Sequence, residues 1–323
     1  MKTVLVTGGA GYIGSAISLM LVQHGYRVII IDHAPQVPDV LVHEQVIFYS
    51  ADFADTQLLN TLFTQFIITA VIHCAAYIEV AESVAHPQKY YNNNVTKTIT
   101  LLDTIIQHRP VPVIFSSSAA VYGTPLSLPI PETHPKNPIS PYGMSKYIVE
   151  CILHDYNRAY GLPYVVFRYF NAAGALPEYK LGERHTPETH IIPLLIRAAS
   201  TQKPFTIFGN YTTPDGSAIR DYIHVADIAS AHIQALTYIL TTKISHIFNL
   251  GTGDGNSILE VIAEVNRLTK HPIISQTAPA RAGDPAALVA DIRSAQSILG
   301  WNPHYQLQNI AKSAYIFYIN YCN

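Results

Sequence analysis

The chain has 323 residues, 49% of them hydrophobic and 13% charged, and a formal net charge of −2. That length suits one large domain or two modest ones, and that composition favours a buried core over disorder. The near-neutral balance leaves no basic field to hold nucleic acid or an anionic membrane surface.

Residues 3–7 read as a buried strand, 11–24 as a helix and 27–32 as a second strand. Further strands are predicted at 46–50, 69–73, 112–116 and 164–168, with helices near 56–66, 88–108 and 142–160. Such alternation predicts an α/β fold, a Rossmann-like doubly wound parallel sheet with helices on both faces. Sheets of this kind bind ligands at the carboxyl ends of their strands, near the switch in strand order.

After about residue 170 the pattern changes, and Pro and Gly punctuate it, as in Asn171-Ala172-Ala173-Gly174-Ala175. Short strands at 205–208, 247–250 and 272–276 mix with helices at 191–200, 257–269 and 307–320. We therefore expect residues 1–170 to form the sheet domain. Residues 171–323 would mainly form a smaller, irregular α/β substrate-binding lobe, some of whose later segments return to the sheet.

Cys74, Cys151 and Cys322 are distant from one another and odd in number, as expected of free thiols in a reducing compartment. The 15 histidines show no H-E-x-x-H or comparable spacing, so no metal site is expected. Met1-Lys2 leads straight into an apolar strand, and no run of 18 apolar residues occurs. Neither a signal peptide nor a membrane span is expected, which points to the cytoplasm.

The first strand runs into Gly8-Gly9-Ala10-Gly11-Tyr12-Ile13-Gly14 and then a helix. In this G-x-x-G-x-x-G, Gly8 permits a tight turn, Gly11 lets backbone approach a pyrophosphate, and Gly14 lets the helix pack closely on the strand. The helix N-terminus offers unpaired N–H groups to phosphates. The second strand ends at Asp32, 18 residues after Gly14. A carboxylate there accepts hydrogen bonds from adenosine ribose hydroxyls and repels a 2′-phosphate, which favours NAD over NADP.

Tyr142 and Lys146 stand four residues apart and so share a helix face. A phenol titrates near ~10; a neighbouring ammonium and a positive nicotinamide favour phenolate and make Tyr142 a candidate base. Upstream, the strand Val113-Ile114-Phe115 delivers Ser116-Ser117-Ser118. A serine at a strand's carboxyl end, ahead of that helix, can hydrogen-bond a sugar hydroxyl and relay its proton.

The stretches TGGAGYIG (7–14), SSSAAVYG (116–123), SPYGMSK (140–146), RYFNAAGA (168–175), PETHIIPLL (187–195), TPDGSAIRDYIHVAD (213–227) and RAGDPAALVAD (281–291) cover nearly the whole chain. Together they resemble the extended short-chain dehydrogenases/reductases, and within them most closely the UDP-glucose 4-epimerases. The resemblance implies reversible C4 epimerisation of a UDP-hexose through a 4-keto intermediate with tightly bound NAD, in a homodimer. It implies that Ser118, Tyr142 and Lys146 are catalytic and that Tyr12, Ile13, Asp32, Asp52, Phe53 and Asn94 line the NAD. It places Asn171, Arg220 and Arg281 on the nucleotide diphosphate, Asp284 near the uridine ribose and His190 at the substrate. Guanidinium forks suit diphosphate oxygens, although Arg220 also has Asp221 beside it as a surface partner.

Two departures stand out. Ile78 occupies the position of a lysine that often touches the nicotinamide ribose. Leu288 is smaller than the tyrosine of glucose/galactose-restricted members, so UDP-N-acetylhexosamines remain alternative substrates; a UDP-pentose 4-epimerase is a further alternative. A 4,6-dehydratase would need an acid pair directly after Ser118, where Ala119 and Ala120 stand. A non-catalytic NAD-binding sensor would typically lack the Tyr/Lys pair that this chain keeps.

Overall fold

The computed structural model describes residues 1–279 and 284–322. In the first half the elements are β1 (Thr3–Thr7), α1 (Tyr12–Gln23), β2 (Arg27–Asp32), β3 (Val46–Ser50), α2 (Thr56–Gln65) and β4 (Ile68–His73). There follow α3 (Val80–Ala85), α4 (Pro87–Tyr90), α5 (Lys97–His108), β5 (Val113–Ser118), α6 (Pro141–Tyr160) and β6 (Tyr164–Tyr169). In the second half come β7 (Asn171–Ala173), β8 (Ala175–Leu176), β9 (Leu181–Gly182), α7 (Ile191–Thr201), β10 (Phe205–Gly209), β11 (Ile219–His224), α8 (Val225–Thr242) and β12 (His246–Leu250). The chain continues through β13 (Gly255–Ser257), α9 (Ile258–Thr269), β14 (Ser275–Pro279), β15 (Ala287–Leu288) and α10 (Leu307–Tyr321).

Seven parallel strands form the main sheet in the order β12-β6-β5-β4-β1-β2-β3. Every residue of β1 is buried, because both faces of a doubly wound sheet are covered. Its side chains alternate all the same. Val4 and Val6 join the core under α1 and α8, and Leu5 joins the opposite core under α2, α5 and α6. The chain runs from β1 outward to β3, then crosses back to β4 on the other side of β1. That reversal opens a crevice beyond the carboxyl ends of β1 and β4.

Beyond residue 170, β12 returns to the main sheet beside β6, with Phe248 opposite Phe167. The other strands form small sheets, including β10 with β14, and β11 with β7, β13 and β15. They pack with α7, α9 and α10 around a third core containing Leu195, Val265 and Ile310.

Three departures from the sequence expectation have local causes. The helix expected over 88–108 is α4 and α5 separated by a wider π-helical turn over Tyr91–Thr96, a distortion that often marks functional positions. The strand expected at 272–276 begins at Ser275, opposite Phe205, because Pro272 has no N–H for a ladder. The eighteen-residue helix α8 was not expected. It is buried on most of its circumference, from Ala226 through Ile239, so its apolar stripe is blurred. Among the described residues no helix is long and apolar enough to cross a membrane.

Candidate active site

A cleft of roughly 1110 Å³ opens at the crevice and is lined by both halves of the chain. Gly8 has φ +71°, and a Cβ there would lie 2.6 Å from the Ala75 nitrogen that follows β4. A Cβ on Gly14 would lie 2.0 Å from the Gly8 carbonyl oxygen. On Gly11 it would meet only that oxygen, at 3.4 Å, so the space before α1 is open. Gly11 caps α1 without a side-chain acceptor, and no acidic residue stands in the first turn. The leading N–H groups of α1 are thus available to an anion. Asp32 lies on the same cleft. Its oxygens accept from the backbone N–H groups of Ala10 and Ala34, both at 3.0 Å, and keep lone pairs for ribose hydroxyls. These residues fit a dinucleotide.

Tyr12, Ile13, Phe53 and Ile78 also line the cleft. The Tyr12 hydroxyl donates to the Gly174 carbonyl at 2.7 Å and ties the loop to the second half. Asp52 lies off the wall, between Ala51 and Phe53, which line it. Its carboxylate accepts from Lys97 and from Ala54 N. Partial burial opposes its ionisation, yet the Lys97 hydrogen bond holds its pKa below the usual value. Asn94 is likewise off the wall. Its side chain is spent on both backbone groups of Tyr77 and on Ser145 Oγ, at 2.9–3.1 Å. Of Asn92, Asn93 and Asn94, Asn93 lines the cleft, and its buried Oδ1 makes no hydrogen bond. Sequence comparison passed over it because the π turn decides which of three consecutive asparagines faces inward.

The three serines separate by direction. Ser116 Oγ contacts Tyr169 Oη at 2.9 Å, and Ser117 Oγ donates to Glu150 Oε1 at 2.6 Å; both are buried. Ser118 stands at the end of β5 on the cleft, which Tyr142 also lines, and its Oγ accepts from Ala120 N at 3.2 Å. Helix α6 is aimed by its Ser140 cap, which accepts from Gly143 N at 3.1 Å. It packs so tightly that a Cβ on Gly143 would lie 2.5 Å from the Ala120 oxygen. Tyr142 emerges on the wall one turn before Lys146, which is 4% exposed. The Lys146 ammonium donates to the Ser116 carbonyl at 2.7 Å and lies 5.9 Å from the Tyr142 ring centre. Burial pushes it down to about 8. Burial also raises the Tyr142 phenol, against the Ser118 hydrogen bond. The expected pull toward phenolate is therefore not supplied by the protein alone, because burial of the phenol outweighs it.

On the other wall, Asn171 lines the cleft and donates to the Asp221 carbonyl at 2.9 Å. Leu288 lines it too. Arg220 does not pair with Asp221. Its Nη2 meets Asp284 Oδ1 at 2.6 Å, and Tyr211 donates to the other Asp284 oxygen at 2.8 Å. The Asp221 carboxylate is buried and accepts from Thr252, Gly253 and Ala290. Arg281 lies outside the described residues. His190 caps α7 on the cleft, its Nδ1 2.8 Å from Glu183 and 3.2 Å from Glu188. Burial opposes its charge, but the two carboxylates win and lift it to about 10.

Residues 4–251 match the model of the NAD dependent epimerase/dehydratase family. The chain belongs to that family. A UDP-glucose 4-epimerase of Halalkalibacterium halodurans is 48% identical over 94% of this chain and 91% of its own. The structure of a UDP-glucose-4-epimerase from Stenotrophomonas maltophila, with bound NAD and formylated UDP-arabinopyranose, superposes with a TM-score of 0.94 at 35% identity, covering 99% of this chain and 98% of that one. That of a UDP-glucose 4-epimerase from Brucella ovis in complex with NAD gives 0.92 at 44% identity, covering 98% of each. In this epimerase/dehydratase family member the glycine loop, Asp32 and the Ser118/Tyr142 pair thus open onto one cleft.

Proposed function

We propose that this chain interconverts UDP-glucose and UDP-galactose by inverting C4, with NAD held in the cleft throughout. The observation that carries the reading is that Ser118 and Tyr142 both line the cleft that the glycine loop enters, with Lys146 one turn behind Tyr142 on the same helix. NAD supplies a hydride acceptor that later returns the hydride, and in its oxidised form a positive charge that draws a buried phenol toward phenolate. Tyr142 Oη accepts the proton of the sugar 4-hydroxyl, with Ser118 Oγ as relay, and gives it back after the 4-keto sugar has turned. Lys146 holds the serine strand in place and keeps a positive charge beside the ring. Asp32, Phe53 and the first turn of α1 hold the dinucleotide. Asn171, Arg220 and Asp284, with Arg281, hold the nucleotide diphosphate and its ribose, which leaves the hexose free to rotate; His190 borders it.

In this scheme residues 1–170 mainly bind NAD and 171–323 mainly bind the sugar nucleotide. The enzyme works in the cytoplasm as a homodimer, for which α5 and α6 offer neighbouring outer faces joined by a 2.7 Å bond from Tyr156 to Asp103. One observation favours a second reading: Leu288 on the cleft wall leaves more room than a tyrosine, which suits UDP-N-acetylhexosamines.

The test incubates the purified chain with UDP-glucose, UDP-galactose, their N-acetyl forms and UDP-xylose, and follows C4 inversion together with absorbance at the NADH band. Fastest inversion of the glucose/galactose pair supports the reading. Absence of inversion with all of them overturns it.

A further inference from the structure

We infer that Glu183, His185, Glu188 and His190 form a closed site for one divalent transition-metal cation of the zinc class, built into the wall of the cleft. This goes beyond the epimerase reading and does not depend on it. The four residues come from the segment between β9 and α7, and one ligand atom from each lies within 4.8 Å of all the others.

The spacing suits a tetrahedral ion. His185 Nδ1 is 3.2 Å from Glu183 Oε1 and 3.9 Å from Glu188 Oε2. His190 Nδ1 is 2.8 Å from Glu183 Oε1 and 3.2 Å from Glu188 Oε1. Bonds of about 2.0–2.2 Å to zinc place tetrahedral ligands about 3.3–3.6 Å apart; the His–Glu separations bracket that range, and the full set, which lies within 4.8 Å, would have to close by up to about 1 Å around an ion. Two carboxylates also neutralise a divalent charge when both imidazoles are neutral.

A histidine nitrogen wedged between carboxylates is held by a proton or by a metal. A proton on His190 Nδ1 satisfies that ring alone. His185 Nδ1 is buried, faces the same two carboxylates and makes no hydrogen bond. One cation satisfies both nitrogens. The surroundings are fixed as an outer shell should be. The Glu188 carboxylate accepts from the backbone N–H groups of Thr189 and His190, both at 2.8 Å. Imidazole and carboxylate ligands favour Zn²⁺ or Co²⁺ over Mg²⁺ or Ca²⁺.

With four protein ligands the site is structural. It ties the β8–β9 hairpin to the start of α7 and fixes the position of His190. It also steadies Thr189, whose hydroxyl donates to Glu79 across the cleft at 2.8 Å.

The test strips full-length protein with a chelator, desalts it and titrates it with Co²⁺ alone. The expected result is one equivalent per chain, with the intense visible absorption of four-coordinate cobalt, displaced by Zn²⁺ and not by Mg²⁺. His185→Asn and Glu183→Gln should each weaken binding by more than the roughly 10–100-fold that loss of an outer-shell partner costs. Circular dichroism checks that each variant is folded, and His190→Asn replaces one that is not. A titration without a stoichiometric end-point, or a cobalt spectrum unchanged in folded variants, overturns the site.

Discussion

The Lys146 ammonium grips the carbonyl of Ser116, two residues before Ser118, at 2.7 Å. One side chain of α6 thereby holds the end of β5 while the preceding turn of the same helix presents Tyr142. The serine-bearing strand end and the candidate base are set by a single rigid helix.

Tyr142→Phe should lower turnover of UDP-galactose by about 10²–10⁴-fold, the usual range for loss of a general base, with nucleotide binding retained. Ser118→Ala should lower turnover with little change in melting temperature. Ser117→Ala should do the reverse, because its hydroxyl bonds buried Glu150 at 2.6 Å. Steady-state kinetics beside thermal melts separates the three, and normal turnover by Tyr142→Phe removes the proposed base.

The glycines of the loop should respond differently. A Cβ on Gly14 would sit 2.0 Å from the Gly8 oxygen, and one on Gly11 3.4 Å from it. Gly14→Ala should destabilise the fold by about 1–3 kcal/mol or more. Gly11→Ala should leave stability within about 1 kcal/mol and weaken NAD retention, since the added methyl enters the phosphate space. Denaturant melts and NAD content after gel filtration read the two effects.

Behind the serines, Arg168 meets Glu150 with two bonds, 3.0 and 2.6 Å, and both side chains are buried. Arg168 also donates to Tyr122, which reaches Asn249 of β12 at 2.7 Å. Glu150→Gln leaves a buried guanidinium uncompensated and should cost about 3–5 kcal/mol. A loss below 1 kcal/mol in urea unfolding would show that the pair is dispensable.

Acid should unfold the protein through neutral histidines. Burial lowers His73 to about 3 and both His224 and His232 to about 4. His224 Nδ1 accepts from Ala226 N at 3.0 Å and Nε2 contacts Ser313 Oγ at 3.0 Å, which suits the neutral ring. The unfolded chain binds protons near pH 6.5 and the folded one does not. The contribution of these residues is therefore complete above about 6.5 and is lost as pH falls toward 3–4. Each should cost about 2 kcal/mol between pH 6.5 and 5. His232→Gln should reduce that slope by one proton in denaturation curves taken across this range.

Leu288→Tyr narrows the cleft wall and should reduce kcat/KM for UDP-N-acetylgalactosamine relative to UDP-galactose by about 10-fold or more. An unchanged ratio would show that residue 288 does not border the sugar.

Much of the sheet was legible because its first six strands are apolar runs closed by turn or polar residues, as burial on both faces requires of the inner ones. Helix α8 escaped because near-complete burial erases the stripe by which a helix is recognised. The glycine loop, Asp32 and the Tyr142/Lys146 pair stood out as candidates from local spacing read together with the serine run and the family resemblance, and the structure brings Gly8, Gly11, Gly14, Asp32 and Tyr142 to one cleft. Asn93 and Asn94 were not distinguishable, since one π turn rotates the pair by an amount that residue order does not encode.

The chain's own order of residues determined a parallel sheet, a glycine-rich turn after β1 and a helix carrying phenol and ammonium on one face. All of these follow from backbone sterics and helical period. Only the tertiary structure decided which serine looks outward, that Arg220 meets Asp284 across 64 residues, and that two histidines and two glutamates converge beside α7. Such choices rest on burial and on contacts between distant segments, which no local period records.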